Sequence, residues 1–387
     1  MQYTTLHYFD WNATAPLRRE ARSAMLAALD VVGNPSSVHA EGRGARRIIE
    51  EARDQVAALV GGEARNVTFT SGGTEANMAA LSPSARNAGV AGKRLLVSAI
   101  EHPSVLAGGR FPAAAVERLP VTAEGMIDLS ALAGRLAASE SPALVSLMFA
   151  NNETGAVQPV SEAARLVHDA GAILHVDAVQ AVGRIPCDIN ALGADLLTVS
   201  GHKIGAPKGV GALIRRAGTL LDPLVTGGGQ ERGLRAGTEN TAGIAGFGAA
   251  AAAARQNLAA DGARMVRLRA SLEGKLKAAT PEVVIFGAAA VRLPNTILFA
   301  VPGLKAETAV IAFDLEGVAV SSGAACSSGK VQPSHVLAAM GVPPGLANGA
   351  IRVSLGPTTT ESDVDRLIEA WIKVSGALLK ARQGIAA

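Results

Sequence analysis

Between Val67 and Val210 the chain alternates short, nearly continuous apolar runs with longer stretches rich in Ala, Leu, Glu and Arg. Short β-rich runs of this kind read as buried strands, and their alternation with helical stretches predicts βαβ units and a mostly parallel sheet. The predicted strands are Val67–Thr70, Arg94–Ile100, Leu144–Phe149, Ala172–Val176 and Asp195–Val199. One of the intervening helices is expected from Ser161 to Ala170, with Ser161 as its N-cap. From about Ile244 to Ala279 the pattern is helical and Ala-rich, long enough to join two units. Beyond it Val283–Phe286, Thr296–Phe299, Val318–Val320 and Ile351–Ser354 read as short strands and Ile368–Arg382 as a terminal helix, a smaller α+β unit. No fixed-period repeat interrupts this order.

A length of 387 residues predicts two domains. With 49% apolar and 18% charged residues the chain can build a sizeable core and is not intrinsically disordered. Its most apolar stretch, Ile244 to Ala254, ends at Arg255 and is too short to span a bilayer, so no membrane role is expected. The opening MQYTTLHYFDW has neither a cationic start nor an apolar run, which makes the cytoplasm the expected location. The net charge of +3 is scattered and only 3% of residues are aromatic, so nucleic acid is not an expected partner. Two cysteines, Cys187 and Cys326, exclude a disulfide framework and a Cys-rich metal site.

In open α/β sheets ligands lie beyond the carboxyl ends of the strands. The residues just past each predicted strand are polar in every case: Ser71-Gly72-Gly73-Thr74-Glu75, then Glu101-His102-Pro103, then Asn151-Asn152-Glu153-Thr154-Gly155, then Asp177 and Gln180, then Ser200-Gly201-His202-Lys203. Gly73 and Thr74 at a helix start suit a phosphate. Taken alone they read first as an ordinary capped turn, and no Walker A lysine comes after them. Lys203 reads as a solvated tether or as an amine able to form a Schiff base. Asp177 reads as a helix cap or as the carboxylate that keeps a pyridine nitrogen protonated. His102 alone reads as a core or capping histidine. Together, phosphate cup, amine, acid and flat imidazole describe one ligand, pyridoxal phosphate.

An ordered set of motifs then resembles a known family. It comprises Asp10–Thr14, Gly33–His39, Thr70–Asn77, Glu101-His102, Asn151–Gly155, Asp177–Gln180, Ser200–Lys203, Gly227–Arg232 with Arg235–Asn240, Ser321–Cys326 and Arg352–Gly356. The chain is similar to the cysteine desulfurases of the nitrogen-fixation and iron–sulfur-assembly type (NifS/IscS-like). These are class-V aminotransferases among the fold-type-I pyridoxal-phosphate enzymes. The resemblance implies an α/β fold with a large domain, 15–255, around a mostly parallel seven-stranded sheet. It also implies a small α+β domain made of 1–14 and 256–387.

It further implies that Lys203 carries the cofactor and moves protons, that His102 stacks on the ring as an acid–base group, and that Asp177 and Gln180 pair with ring nitrogen and phenolic oxygen. Gly73, Thr74, Ser200 and His202 would hold the phosphate, joined by Thr238 from the second subunit of a homodimer. Asn152 would serve both cofactor and substrate, and Arg352 would grip the carboxylate of L-cysteine with Asn34. Cys326 would take the sulfur as a persulfide for an iron–sulfur scaffold or another acceptor protein. No intrinsic metal is implied, beyond Cys326 as a transient iron–sulfur ligand shared with a scaffold.

Cys326 supports this independently, because Ser321–Lys330 contains nothing large enough to bury a thiol. Cys187, between Ile185-Pro186 and Asp188-Ile189, reads as structural. The chain ends at Ala387, without the tail that housekeeping relatives use to hold their scaffold, so the acceptor stays open. An aminotransferase or selenocysteine lyase, or a non-catalytic assembly subunit, are the competing readings. A transaminase needs no cysteine, and a bare subunit needs neither Lys203 nor Asp177.

Overall fold

A computed structural model describes residues 6–87, 90–323 and 333–385. Its main sheet has seven strands, ordered Val67–Thr70, Gly211–Arg215, Leu196–Ser200, Ile173–Asp177, Ala143–Met148, Arg94–Ser98, Val116–Leu119. Only Gly211–Arg215 runs against its neighbours; the other pairings within the sheet are parallel. Helices cover both faces, so Leu144, Val145 and Leu147 are all buried although they point to alternate sides. Among the described residues no helix is long and apolar enough to cross a membrane.

All five predicted strands are present, Val67–Thr70 with the expected bounds and the other four displaced at their ends by one or two residues. Two strands escape the sequence pattern. Val116–Leu119 is a half-exposed edge strand, and Gly211–Arg215 is the one antiparallel member. The helix expected from Ser161 runs from Val160 to Asp169 and starts from Pro159, which supplies no side-chain cap. Ser161 is therefore not its N-cap: its Oγ instead donates to the Ala191 carbonyl, 3.2 Å away.

The long helix Thr241–Ala279 has 39 residues, about 58 Å of rise. Ile244, Phe247, Ala250 and Ala254 pack into the core of the main sheet. Leu268, Leu272 and Leu276 pack into a second core with Phe299, Phe313 and Trp371. That second core covers a four-stranded antiparallel sheet, Val284–Ile285, Thr296–Ala300, Ile351–Ser354 and Ser321–Ser322. Val318–Ala319 belongs elsewhere, pairing in parallel with His7–Tyr8 near the amino end. Trp371 donates from Nε1 to Thr280 Oγ1 at 2.9 Å and meets Phe299 edge-on at 5.2 Å.

The amino-terminal segment leaves this second layer at Asp10 and enters the main one. Trp11 lies flat over Gly356, where any added Cβ would fall on the indole ring. Both backbone and ring are fixed there, so the collision has no cheap relief. Gly356→Ala should therefore lower the unfolding free energy by about 1–3 kcal/mol in denaturant titration. An unchanged midpoint would show that Trp11 does not pack as described.

Candidate active site

Five strand ends open onto one cavity of about 270 Å³. Its wall includes Gly73, Thr74, His102, Asn152, Asp177, Gln180, Ser200, His202, Lys203 and Arg352. Ten of the residues singled out in the sequence thus meet in one place. Two do not: Asn34 and Thr238 are exposed and lie outside this cavity in the single chain. Cys326 lies outside the described residues.

Each group is held for a visible reason. Gly73 opens the helix Gly73–Ala80, and a Cβ there would press on Val179 and Ser200, so glycine lets the backbone come close to a ligand. Asp177 closes its strand; its Oδ1 accepts from Val179 N at 3.0 Å and its Oδ2 from Asn77 Nδ2 at 2.9 Å. Lys203 comes after Ser200 in a single 3₁₀ turn, and its Nζ donates to the carbonyls of Asn12 (2.6 Å) and Ala13 (2.8 Å). Gln180 accepts through Oε1 from Arg184 Nη1 at 2.9 Å, which leaves its amide nitrogen as the donor, 3.0 Å from Asn12 O. Arg352, almost fully buried, donates to Asn152 O at 3.0 Å and to Asp10 Oδ1 at 2.7 Å. Its Nε has no hydrogen-bond partner among the described residues.

The two imidazoles that line the cavity are both shifted toward the neutral form. Burial, reinforced by Lys203, Lys208 and Arg184, pushes His202 down to about 4. Burial also lowers His102, against the pull of Asp177 and with the push of Lys203 and His335. His102 Nδ1 accepts the Ser104 N–H at 3.1 Å, capping the short helix Pro103–Leu106 and leaving the ring proton on Nε2. Behind the wall, burial pushes Glu101 up to about 8 and Glu153 to about 7. Cys187 is buried, its thiol pushed up to about 12, as befits a structural residue.

Sequence patterns assign no role to Asn12, Asn77 or Ser104, all of which line the cavity. Asn12 and Asn77 stand inside motifs recognised as wholes, but an asparagine's two donors and one acceptor say nothing about direction until its neighbours are placed. The cavity can therefore receive a flat anionic group. It offers an anion cradle, a carboxylate, an amine, and a guanidinium for a second anion. Among the described residues no cluster of three or more His, Cys, Asp or Glu could hold a metal.

The family model described as aminotransferase class-V matches residues 7–367. A cysteine desulfurase of Cereibacter sphaeroides is 46% identical over 368 residues, 94% of each chain. The cysteine desulfurase NifS of Azotobacter vinelandii is 42% identical, over 93% of this chain and 90% of that one. The solved structure of a NifS-like protein from Rickettsia africae superposes with a TM-score of 0.87 at 36% identity, covering 96% of this chain and all of that one.

Glu101 yields a pH dependence. Its usual value is 4.5 and burial raises it to about 8, so the folded chain keeps a proton that the unfolded chain releases. Stability from this group is whole below pH 4.5 and falls as pH rises to 8. Glu101→Gln removes the titration, so unfolding free energy should fall less steeply between about pH 5 and 8 than in the parent. Parallel curves would show that Glu101 is not held protonated.

Proposed function

The chain belongs to the class-V aminotransferase family and is one of its cysteine desulfurases; we propose that it removes sulfur from L-cysteine, releases L-alanine and carries the sulfur away as a persulfide on Cys326. The observation that supports this most is the meeting of Lys203, Asp177, His102 and the Gly73–Thr74 cradle in one cavity.

The residues present fit pyridoxal phosphate. Gly73, Thr74, Ser200 and His202 would hold its phosphate, Asp177 its ring nitrogen and Gln180 Nε2 its phenolic oxygen. His102 would cover the ring face, and Asn152 would touch both cofactor and substrate. When bound, that group supplies a place for the electron pair left behind when the substrate loses its α-proton. Lys203 Nζ, which rests on the Asn12 and Ala13 carbonyls, would anchor the cofactor and carry protons at the substrate carbons. Arg352 would receive the substrate carboxylate, with Asn152 in the same cavity and Asn34, outside it in the single chain, as the proposed further contact.

The thiolate of Cys326 attacks the substrate sulfur. The new S–S bond forms as the Cβ–S bond breaks, and a proton completes the methyl group of alanine. Cysteine and one protein thiol thus become alanine and one protein persulfide, and no outside oxidant or reductant is needed. An iron–sulfur scaffold or another acceptor protein takes the sulfur, with Cys326 as a transient iron–sulfur ligand where the acceptor is a scaffold. The cytoplasm is the proposed setting, and residues 15–255 form the proposed cofactor-binding domain.

A homodimer belongs to the same proposal. Thr238 and Asn34 face outward, yet the run bearing Thr238 is firmly seated. Glu231 pairs with buried Arg53 at 2.6 Å, and Arg235 pairs with Glu75 of the cradle helix at 2.9 Å. An outward residue on a fixed segment beside the cradle suits delivery to a second copy's site.

Two outcomes check the chemistry. Cys326→Ser keeps the shape and removes the soft nucleophile. It should bind cofactor and change its visible spectrum with cysteine, yet form no persulfide and release no alanine; alanine and sulfide at the parental rate would overturn the reading. Arg352→Lys loses the two-pronged grip and should raise KM for cysteine about 10–100-fold with cofactor content unchanged. An unchanged KM would remove Arg352 from the carboxylate site.

A further inference from the structure

Asn77 is almost fully buried on the helix Gly73–Ala80, between the end of the strand that carries Asp177 and the short helix that His102 caps. Its Nδ2 makes two hydrogen bonds, 2.9 Å to Asp177 Oδ2 and 2.9 Å to Ser104 Oγ. Ser104 Oγ in turn lies 2.8 Å from His102 Nδ1. Bond directions are set by what each atom can do. The amide nitrogen only donates, so both Asp177 Oδ2 and Ser104 Oγ accept from it. Flipping the amide would set its oxygen against a carboxylate, so Asp177 fixes the orientation. The Ser104 hydroxyl, accepting from Asn77, is left to give its hydrogen to Nδ1.

We propose that Asn77 and Ser104 are positioning residues that join Asp177 and His102 in one directed chain of hydrogen bonds, so that the carboxylate governs where the imidazole holds its proton. The inference rests on the reading that Asp177 and His102 serve the same bound group.

A packing role explains the arrangement poorly. Asn77 Oδ1 is buried without a partner. A leucine would fill similar space and leave no buried oxygen unpaired. The donors make sense at the other end, where Ser104 N–H and O–H both occupy Nδ1. Protonating that nitrogen requires the hydroxyl to turn away, so the chain keeps the ring neutral with its proton on Nε2. The titratable groups facing His102 are Asp177 at its strand end, Lys203 in the turn beyond Ser200, and His335 at the start of the helix His335–Ala339. Asp177 attracts a proton to the ring and the other two repel one. Glu101, next in sequence, is itself held protonated by burial. Among these, Asp177 is also linked to the ring through hydrogen bonds.

The test tracks the His102 ring nitrogens by NMR across pH in histidine-labelled enzyme. It is run with pyridoxal phosphate bound and again after its removal, the signal being assigned by its loss in His102→Gln. Ser104→Ala removes the hydroxyl donor and should raise the His102 pKa by about one unit, a tenfold gain in proton affinity. Ser104→Thr restores a hydroxyl and should restore the parental titration. Asn77→Ala should raise the value as well, and the double variant should add nothing to the larger single effect, since both sit on one chain. An unchanged titration in Ser104→Ala, or shifts that simply add, would overturn the proposal. If Asn77→Ala fails to fold, the Ser104 pair decides alone. Should the parent bind no pyridoxal phosphate while the stripped protein titrates as stated, the hydrogen-bonded chain stands and the reading of the site falls.

Discussion

The carbonyl oxygen of Asn12 is the point on which the site depends. Both Lys203 Nζ and Gln180 Nε2 donate to it, while the neighbouring carbonyls of Trp11 and Ala13 take Arg184 and Lys203. Asn12 is itself held from several sides. Its N–H donates to Ser354 Oγ, its amide donates to Thr296 Oγ1 and Asn152 O, and its Oδ1 accepts from Asn295. Every one of these groups is buried or nearly so, and a buried polar network is stable only when its members are paired. The amine, the glutamine and the guanidinium of Arg184 are thus oriented by a backbone segment that the second layer fixes.

That network also explains a cation that pairs with no carboxylate among the described residues. Arg184 is buried, its hydrogen-bond partners are the carbonyl groups of Gln180, Trp11 and Lys203, and burial lowers it to about 10. It stays charged at neutral pH. Its field, with those of Lys203 and Arg352, gives the cavity a positive bias suited to a ligand with a phosphate and a carboxylate. Behind the wall burial raises both Glu101 and Glu153, which weakens the negative charge they set against that bias.

How much is legible in the sequence depends on how far each signal reaches. Buried parallel strands announce themselves as apolar runs, so the five strands ending at the cavity are visible, and with them the residues at their tips. Val116–Leu119 is not, because an edge strand needs no apolar face, and Gly211–Arg215 lies beyond the alternation that marks βαβ units. Ser161 satisfies the rule for a cap, but Pro159 has already set the helix start. Asn34 and Thr238 are named through resemblance alone, and one chain leaves them outside the cavity. The roles of Asn12, Asn77 and Ser104 depend on hydrogen-bond direction between segments far apart in sequence, which no local pattern encodes.

The bond from Asn12 N to Ser354 Oγ joins residues 342 positions apart. A ribosome adding about 5–20 residues per second delivers one partner roughly 17–70 seconds before the other. During that interval the main sheet can assemble with Lys203, Asp177 and His102 already emerged, while the segment that should receive the lysine amine has nothing to settle against. The Asn12 part of the cavity wall is therefore among the last to be fixed in place. A chain still on the ribosome thus carries the lysine but lacks the contact that fixes the carbonyl its amine rests on.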